Sequence, residues 1–245
     1  MFASVFFSAY SHSDFFGKLI LGSLFSLSII CWVVLIYKVR QTKKVKHISF
    51  SFEKAFEHKM NRILSVSLEE FPRPEANTLH PFGEIFLSLK QKTLDILNKN
   101  HFFALQEKKE EKEDAHNYLS ESDLGIIESH VLTTVSSQNK KLEKHLFILS
   151  TIVTLAPFLG LLGTVWGILI TFSELQTGAS IGSSTAVLGG LATALVSTVL
   201  GLVIAIPALI SHNYLKNFLK HYSSDMEDFL YRLLSTIELQ YRKPE

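Results

Sequence analysis

The residues whose types and spacing suggest chemistry are hydroxyls and glycines set in stretches that carry no charge. Ala156, Gly160, Gly163, Thr164, Gly167 and Thr171 recur at steps of three and four, and so do Ala186, Gly189, Gly190, Thr193, Ser197, Thr198, Gly201, Ala205 and Ala208. On helices, each set falls on one face. Lipid supplies no hydrophobic force between helices, so small residues that let backbones approach mark a packed contact, and Gly163-x-x-x-Gly167 is the local form of that pattern. Packing within one hairpin explains these stripes as well as packing between subunits does. Membrane hydroxyls commonly bond back to their own helix; clustered opposite one another, they line a narrow polar path or receive a partner's ionisable group. The chain has no G-x-x-x-x-G-K-[ST] or H-E-x-x-H motif. His101, His116, His130 and His145 lack a ligand spacing and read as surface residues. The single Cys31 forms neither an internal disulfide nor a cysteine zinc cluster. The expectation is a non-enzyme with no catalytic residues, no metal and no cofactor.

The elements that must position these groups follow from the distribution of charge. The 245 residues carry 24 Lys and Arg against 23 Asp and Glu, a balance that gives phosphate-driven nucleic-acid binding no support. Leu19–Tyr37, Leu146–Phe172 and Ile181–Ser211 contain no Asp, Glu, Lys, Arg or His. A helix crosses the ~30 Å hydrocarbon layer with about 20 residues, so residues 19–37, 146–172 and 181–211 read as three transmembrane helices. The fold class is all-α: a polytopic membrane protein whose long helices extend into a helical cytoplasmic region. Pro157 and Pro207 are expected to bend the second and third spans, since each removes a backbone donor.

Basic flanks set the orientation. Lys38, Arg40, Lys43, Lys44 and Lys46 follow the first span, Lys140, Lys141 and Lys144 precede the second, and Lys216 and Lys220 follow the third. The turn at 173–180 has Glu174 and no basic residue. The positive-inside rule then puts residues 1–18 and 173–180 in the periplasm, and 38–145 and the 212–245 tail in the cytoplasm. The first span is expected to be retained and not cleaved as a signal, because its basic residues follow it and no A-x-A site comes after.

The cytoplasmic part reads as helices. Lys38–Glu70 continues the first span, with Phe52, Phe56, Ile63 and Leu64 near helical spacing; the prolines of Phe71–Pro81 interrupt it. Phe82–Asn100 reads as a second helix with Ile85, Leu89, Leu94 and Leu97 apolar, and Glu107–Asp114 as a solvated charged run. Ser120-Glu-Ser-Asp123 has the form of a capping box, and Leu124, Ile127, Val131 and Val135 mark one face of the helix it starts. With no proline or glycine between Ile126 and Ala156, this helix is expected to enter the membrane unbroken.

Two stretches carry a resemblance. Ala156-Pro-Phe-Leu-Gly-Leu-Leu-Gly-Thr-Val-Trp-Gly-Ile168 resembles the second-span signature of the TolQ/ExbB/MotA proton-channel family, and Gly190–Ala208 resembles its third-span partner. The stretch Lys18–Arg40, with Ser28 and Trp32, is most similar to the TolQ branch. The resemblance implies a ring of identical subunits, typically a pentamer, in the bacterial inner membrane. Within it sits a TolR- or ExbD-like single-span protein whose Asp carries protons, and the work reaches the outer envelope through TolA or TonB. Thr164 and Thr198 correspond to the family's pore threonines, with Ser197 on the same face. The third-span glutamate of the family corresponds to Thr193, which puts a glutamate relay within this chain in doubt. The alternatives are an ExbB-like subunit energising TonB-dependent import, or a non-conducting scaffold.

Overall fold

The computed structural model describes residue 10 and residues 13–57, 60–65, 79–107, 118–176 and 184–242, with the side chains of 57, 60–62, 104–107, 174, 184–190 and 193 excepted. Among the described residues there are five α-helices: α1 (Phe15–Glu57), α2 (Pro81–Glu107), α3 (Glu121–Glu143), α4 (Leu146–Gln176) and α5 (Ser184–Tyr241), with a short 3-10 helix at Met60–Ser65. Three of them, α1, α4 and α5, are long and apolar enough to cross a membrane, as the uncharged windows require. The chain divides into two compact units. One comprises Met1–Val39 with His145–Lys216, and the other Arg40–Lys144 with Asn217–Glu245.

The polar unit is held by an aromatic core. Phe52, Phe56, Phe86 and Phe229 are fully buried, together with Ile85, Leu89, Ile127, Val131 and Leu233. Phe82 stacks on Phe229 with centroids 4.7 Å apart, and Phe56 meets Phe86 edge-on at 5.1 Å. Such pairs add ~0.5–1.5 kcal/mol each beyond their burial. The apolar positions of α2 and α3 supply the walls, except that Leu94 and Leu124 sit toward the outside. Ser49 and Tyr222 join their hydroxyls in the interior, and burial pushes the Tyr222 phenol up, against the Ser49 hydrogen bond.

Caps define the helix starts. Ser120 Oγ accepts from the Asp123 amide at 3.2 Å, and Asp123 Oδ2 accepts from the Ser120 amide at 3.0 Å, completing the box. Asn100 also donates to Asp123 Oδ2, at 3.0 Å. Burial pushes the Asp123 carboxyl up, but these donors outweigh it and leave the pKa lowered. At α2 the cap is His80, whose Nδ1 accepts the Gly83 amide at 3.0 Å, directly before Pro81 opens the helix. Its ring meets Phe52 edge-on at 4.9 Å.

The first span continues as one helix to Glu57, short of the expected Glu70; Ile63 is buried in the 3-10 turn that follows, and residues 66–70 and most of the Phe71–Pro81 interruption lie outside the described residues. The second cytoplasmic helix starts one residue before, and ends seven after, the expected Phe82–Asn100. Beyond Glu107 the charged run, and His116, fall outside the described residues. The turn window is helical through Gln176, and 177–183 are not described. The tail is continuous with the third span, α5 running 58 residues through Pro207.

The expected unbroken passage into the second span is corrected. The helix breaks between Glu143 and Leu146, where Lys144 leaves helical geometry (φ −49°, ψ 132°) and His145 has φ 70°. No glycine or proline marks the break because histidine is among the non-glycine residues that enter the left-handed region. His101 and His130 are exposed, whereas His145 is half-buried.

The His80 cap makes the stability of this unit depend on pH. Burial holds the imidazole below its ordinary 6.5, against the pull of the nearby Glu84, and protonation removes the Nδ1 acceptor. The unfolded chain then binds the proton more readily. Stability is therefore full above pH 6.5 and falls as pH drops below it, levelling once the folded pKa is passed. His80→Asn, which keeps a neutral cap, is expected to flatten this decline in thermal unfolding followed by circular dichroism across pH.

Candidate functional site

In the apolar unit α4 and α5 run in opposite directions and meet backbone to backbone. A Cβ placed on Gly201 would lie 2.5 Å from the Ala156 carbonyl oxygen, and one on Gly160 would lie 2.8 Å from the Ser197 carbonyl oxygen. Neither neighbour is a flexible side chain that can swing away. At Gly163 the Cβ would meet Ser197 Oγ at 2.5 Å, and at Gly167 it would meet the Ala194 Cβ at 2.7 Å. Thus Gly160, Gly163, Gly167 and Gly201 all serve the contact between these two helices of one chain. The side-chain surroundings of Gly189, Gly190 and Thr193 lie outside the described residues, although their backbones belong to α5. Pro157 and Pro207 lie within α4 and α5.

This close approach assembles three hydroxyls. Thr164 and Thr198 hydrogen-bond to each other across the helices. Thr164 Oγ1 also lies 3.2 Å from the Gly160 carbonyl and 3.1 Å from that of Ala194, and Thr198 Oγ1 lies 3.1 Å from Gly160 O. Ser197 Oγ lies 3.0 Å from Gly160 O and 2.7 Å from Ala194 O. Each hydroxyl has one proton to donate, so the Thr164–Thr198 bond can run in either direction, as two of the arrangements that the distances allow illustrate. In one, Thr164 donates to Thr198, Thr198 to Gly160 O, and Ser197 to Ala194 O. In the other, Thr198 donates to Thr164, Thr164 to Ala194 O, and Ser197 to Gly160 O. No side chain in the cluster is ionisable. Thr164 and Thr198 are half-buried and keep an accessible side, whereas Ser197 is buried between the helices. Thr171 is buried and donates to Gly167 O at 2.8 Å, within its own helix.

Sequence reasoning passed over a further contact. Asp14 caps α1, its Oδ1 accepting the Gly17 amide at 3.0 Å, while its Oδ2 accepts the Trp166 indole N–H at 3.0 Å. Phe16 lies against the same indole at 4.5 Å. One turn along, Ile20 is buried 3.3 Å from the position a Gly163 Cβ would take. The first span is thereby docked two residues from Thr164. Burial pushes the Asp14 carboxyl up, but the Trp166 and Gly17 donors prevail and leave it lowered, so it stays ionised at neutral pH. The signal in the sequence was an Asp immediately before the first apolar helix, the ordinary place for a cap.

Two measurements probe this geometry. Gly201→Ala should destabilise the apolar unit by about 1–3 kcal/mol through overpacking, whereas Gly125→Ala on α3, where a Cβ meets nothing within 4 Å, should stabilise by up to about 1 kcal/mol. Thermal aggregation of the detergent-purified proteins reads both. Asp14→Ala should cost about 0.5–2 kcal/mol through the lost cap and alter Trp166 fluorescence, while Asp14→Asn should retain most of the stability.

Comparison with known proteins agrees with this architecture. A sequence model of the MotA/TolQ/ExbB proton channel family matches residues 101–228, which include α3, α4 and most of α5. The biopolymer transport protein ExbB of Aquifex aeolicus is 46% identical over 76 residues, covering 31% of this chain and 51% of that protein. The Tol-Pal system protein TolQ of Pseudomonas aeruginosa is 43% identical over 79 residues, covering 32% and 34%. A putative biopolymer transport protein ExbB-like 3 of Synechocystis is 38% identical over 98 residues, covering 39% and 44%. The chain spans about half or less of the length of these relatives. With more than half of its own residues matched and three apolar helices of spanning length, it is a membrane protein that belongs to the MotA/TolQ/ExbB proton channel family.

Proposed function

We propose that this chain is the ring-forming, non-enzymatic subunit of a bacterial inner-membrane motor driven by the proton-motive force. The observation that carries this reading is the hydroxyl pair Thr164–Thr198, joined across a glycine contact and free of any ionisable group. Such a site transfers no proton by itself. It offers neutral dipoles to a carboxylate supplied from elsewhere, whose charged form is costly in lipid and whose neutral form is not. The carboxylate is assigned to the Asp of a TolR- or ExbD-like single-span partner held within a homo-oligomer, a pentamer by family resemblance. Each proton crossing releases ~2.3 kcal/mol per 100 mV, enough over several steps to turn or shear the partner against the ring.

The basic flanks support a periplasmic N-terminus and a cytoplasmic C-terminus. The Lys18–Arg40 stretch favours a TolQ-like role, with force passed through TolA to maintain envelope integrity and support division. A second reading, an ExbB-like subunit that energises TonB-dependent import, draws on the match to the Aquifex protein. Thr193 in place of the family's glutamate is the feature that favours a non-conducting scaffold.

Thr164→Val with Thr198→Val removes the hydroxyls while keeping the side-chain shape. In vesicles reconstituted with the single-span partner, proton uptake is expected to fall about a hundredfold or more, the scale of losing a donor that stabilises developing charge, while Thr164→Ser with Thr198→Ser retains it. Unchanged uptake by the valine pair in an intact assembly would overturn the motor reading in favour of the scaffold.

A further inference from the structure

On the single helix α1, the outward-facing residues recur at steps of three and four: Phe25, Ile29, Trp32, Ile36, Arg40, Lys43, His47 and Phe50. Up to Ile36 this stripe is apolar and exposed, with Trp32 54% and Phe25 61% accessible. At Arg40 and Lys43 it is basic, flanked by exposed Lys44 and Lys46, before it returns to an apolar residue at Phe50. The helix carries no carboxylate before Glu53, which is engaged by Arg232. Among the described residues no ion pair involves Arg40, Lys43 or Lys46; Lys44 has a partner within the chain and is left aside.

We infer that Arg40, Lys43 and Lys46 of α1 form a binding surface for the headgroups of anionic phospholipids. A stripe that faces hydrocarbon at Ile36 faces the headgroup layer a turn later, because the helix rises only ~1.5 Å per residue. Arg40 then lies ~4.5 Å beyond Tyr37, the last residue of the uncharged window, and Lys43 ~9 Å beyond it. Headgroup regions extend ~5–8 Å past the hydrocarbon, and long basic side chains bend back toward the interface along their own stems. Lys46, deeper in the water, adds attraction to the negative surface, which persists over about a Debye length of ~8 Å. The occupant is a lipid because the same face is already a lipid-type apolar surface one turn earlier, and it is anionic because three exposed cations follow one another at steps of three with no carboxylate on this helix before Glu53. The inference does not depend on proton conduction.

The test uses the full-length chain purified in mild detergent and placed in phosphatidylcholine nanodiscs with or without phosphatidylglycerol. Native mass spectrometry after mixing with the two lipids should show phosphatidylglycerol retained over phosphatidylcholine by at least about tenfold, the scale expected when several basic residues each contribute to anionic-surface attraction. Arg40→Gln, Lys43→Gln and Lys46→Gln together should abolish that preference and the accompanying rise in thermal stability. The matched triple variant Lys54→Gln, Lys92→Gln and Lys99→Gln should keep both. Equal retention of the two lipids, or an unchanged preference in the first triple variant, overturns the inference. Displacement of phosphatidylglycerol by inorganic phosphate would also overturn it, by reducing the surface to a simple anion site. So would a loss of assembly between copies without any change in lipid retention, which would assign the stripe to a protein contact. Proton uptake measured on the same variants keeps failure here distinct from failure of the motor reading.

Discussion

The missing Cβ atoms at Gly160 and Gly201 set how closely α4 and α5 can approach, and the hydroxyl cluster exists only because that approach is close. With any side chain there, the carbonyls of Ala156 and Ser197 would be met at less than 3 Å, and backbone cannot give way as a side chain can. The contact is van der Waals packing between backbones, the force that remains to helices in lipid. Once the helices are that near, Thr164 on one and Thr198 on the other share a hydrogen bond, and the Gly160 and Ala194 carbonyls become acceptors for hydroxyls as well as for their own helices. Asp14 and Trp166 then tie the first helix to the same region, with Ile20 seated against Gly163.

The polar unit is held by different physics. There water makes burial of apolar surface favourable, and the chain answers with phenylalanines that converge from α1, α2 and α5 on a common core. Polar groups at its margins are capped: Ser120 with Asp123, and His80 with Gly83. The two units of one chain thus follow opposite rules, small residues for contact where the solvent is lipid and large aromatic ones where it is water.

Much of this was legible because it rests on periodicity and charge. The described residues of the three uncharged windows fall in helices, the apolar faces at Ile85, Leu89, Ile127 and Val131 are buried, and the capping box at Ser120 forms with its partner at Asp123. The glycine stripe and the threonine pair were readable as a contact because their spacing is helical. What escaped was set by atoms far apart in sequence or by rarely used backbone geometry. Nothing local joins Asp14 to Trp166 across 152 residues. His145 breaks a helix without the glycine or proline that usually announces a break, and His80 caps α2 with a ring nitrogen where a hydroxyl or carboxylate is usual. Ser197, read as facing the same path as the threonines, sits inside the interhelix contact, a distinction of a single step around the helix that spacing alone does not resolve.

The alternative donor patterns of Thr164, Ser197 and Thr198 exchange through hydroxyl rotations alone, with every heavy atom left in place. Reversing the Thr164–Thr198 bond turns the hydroxyl dipoles with it, and no ionisable side chain within the cluster itself fixes their direction. Such a cluster is reorientable, so a charge brought beside it can set the direction in which its hydroxyls point. In the motor proposed above, directionality would then be imposed from outside the cluster, by the voltage and by the unequal acidity of the two compartments.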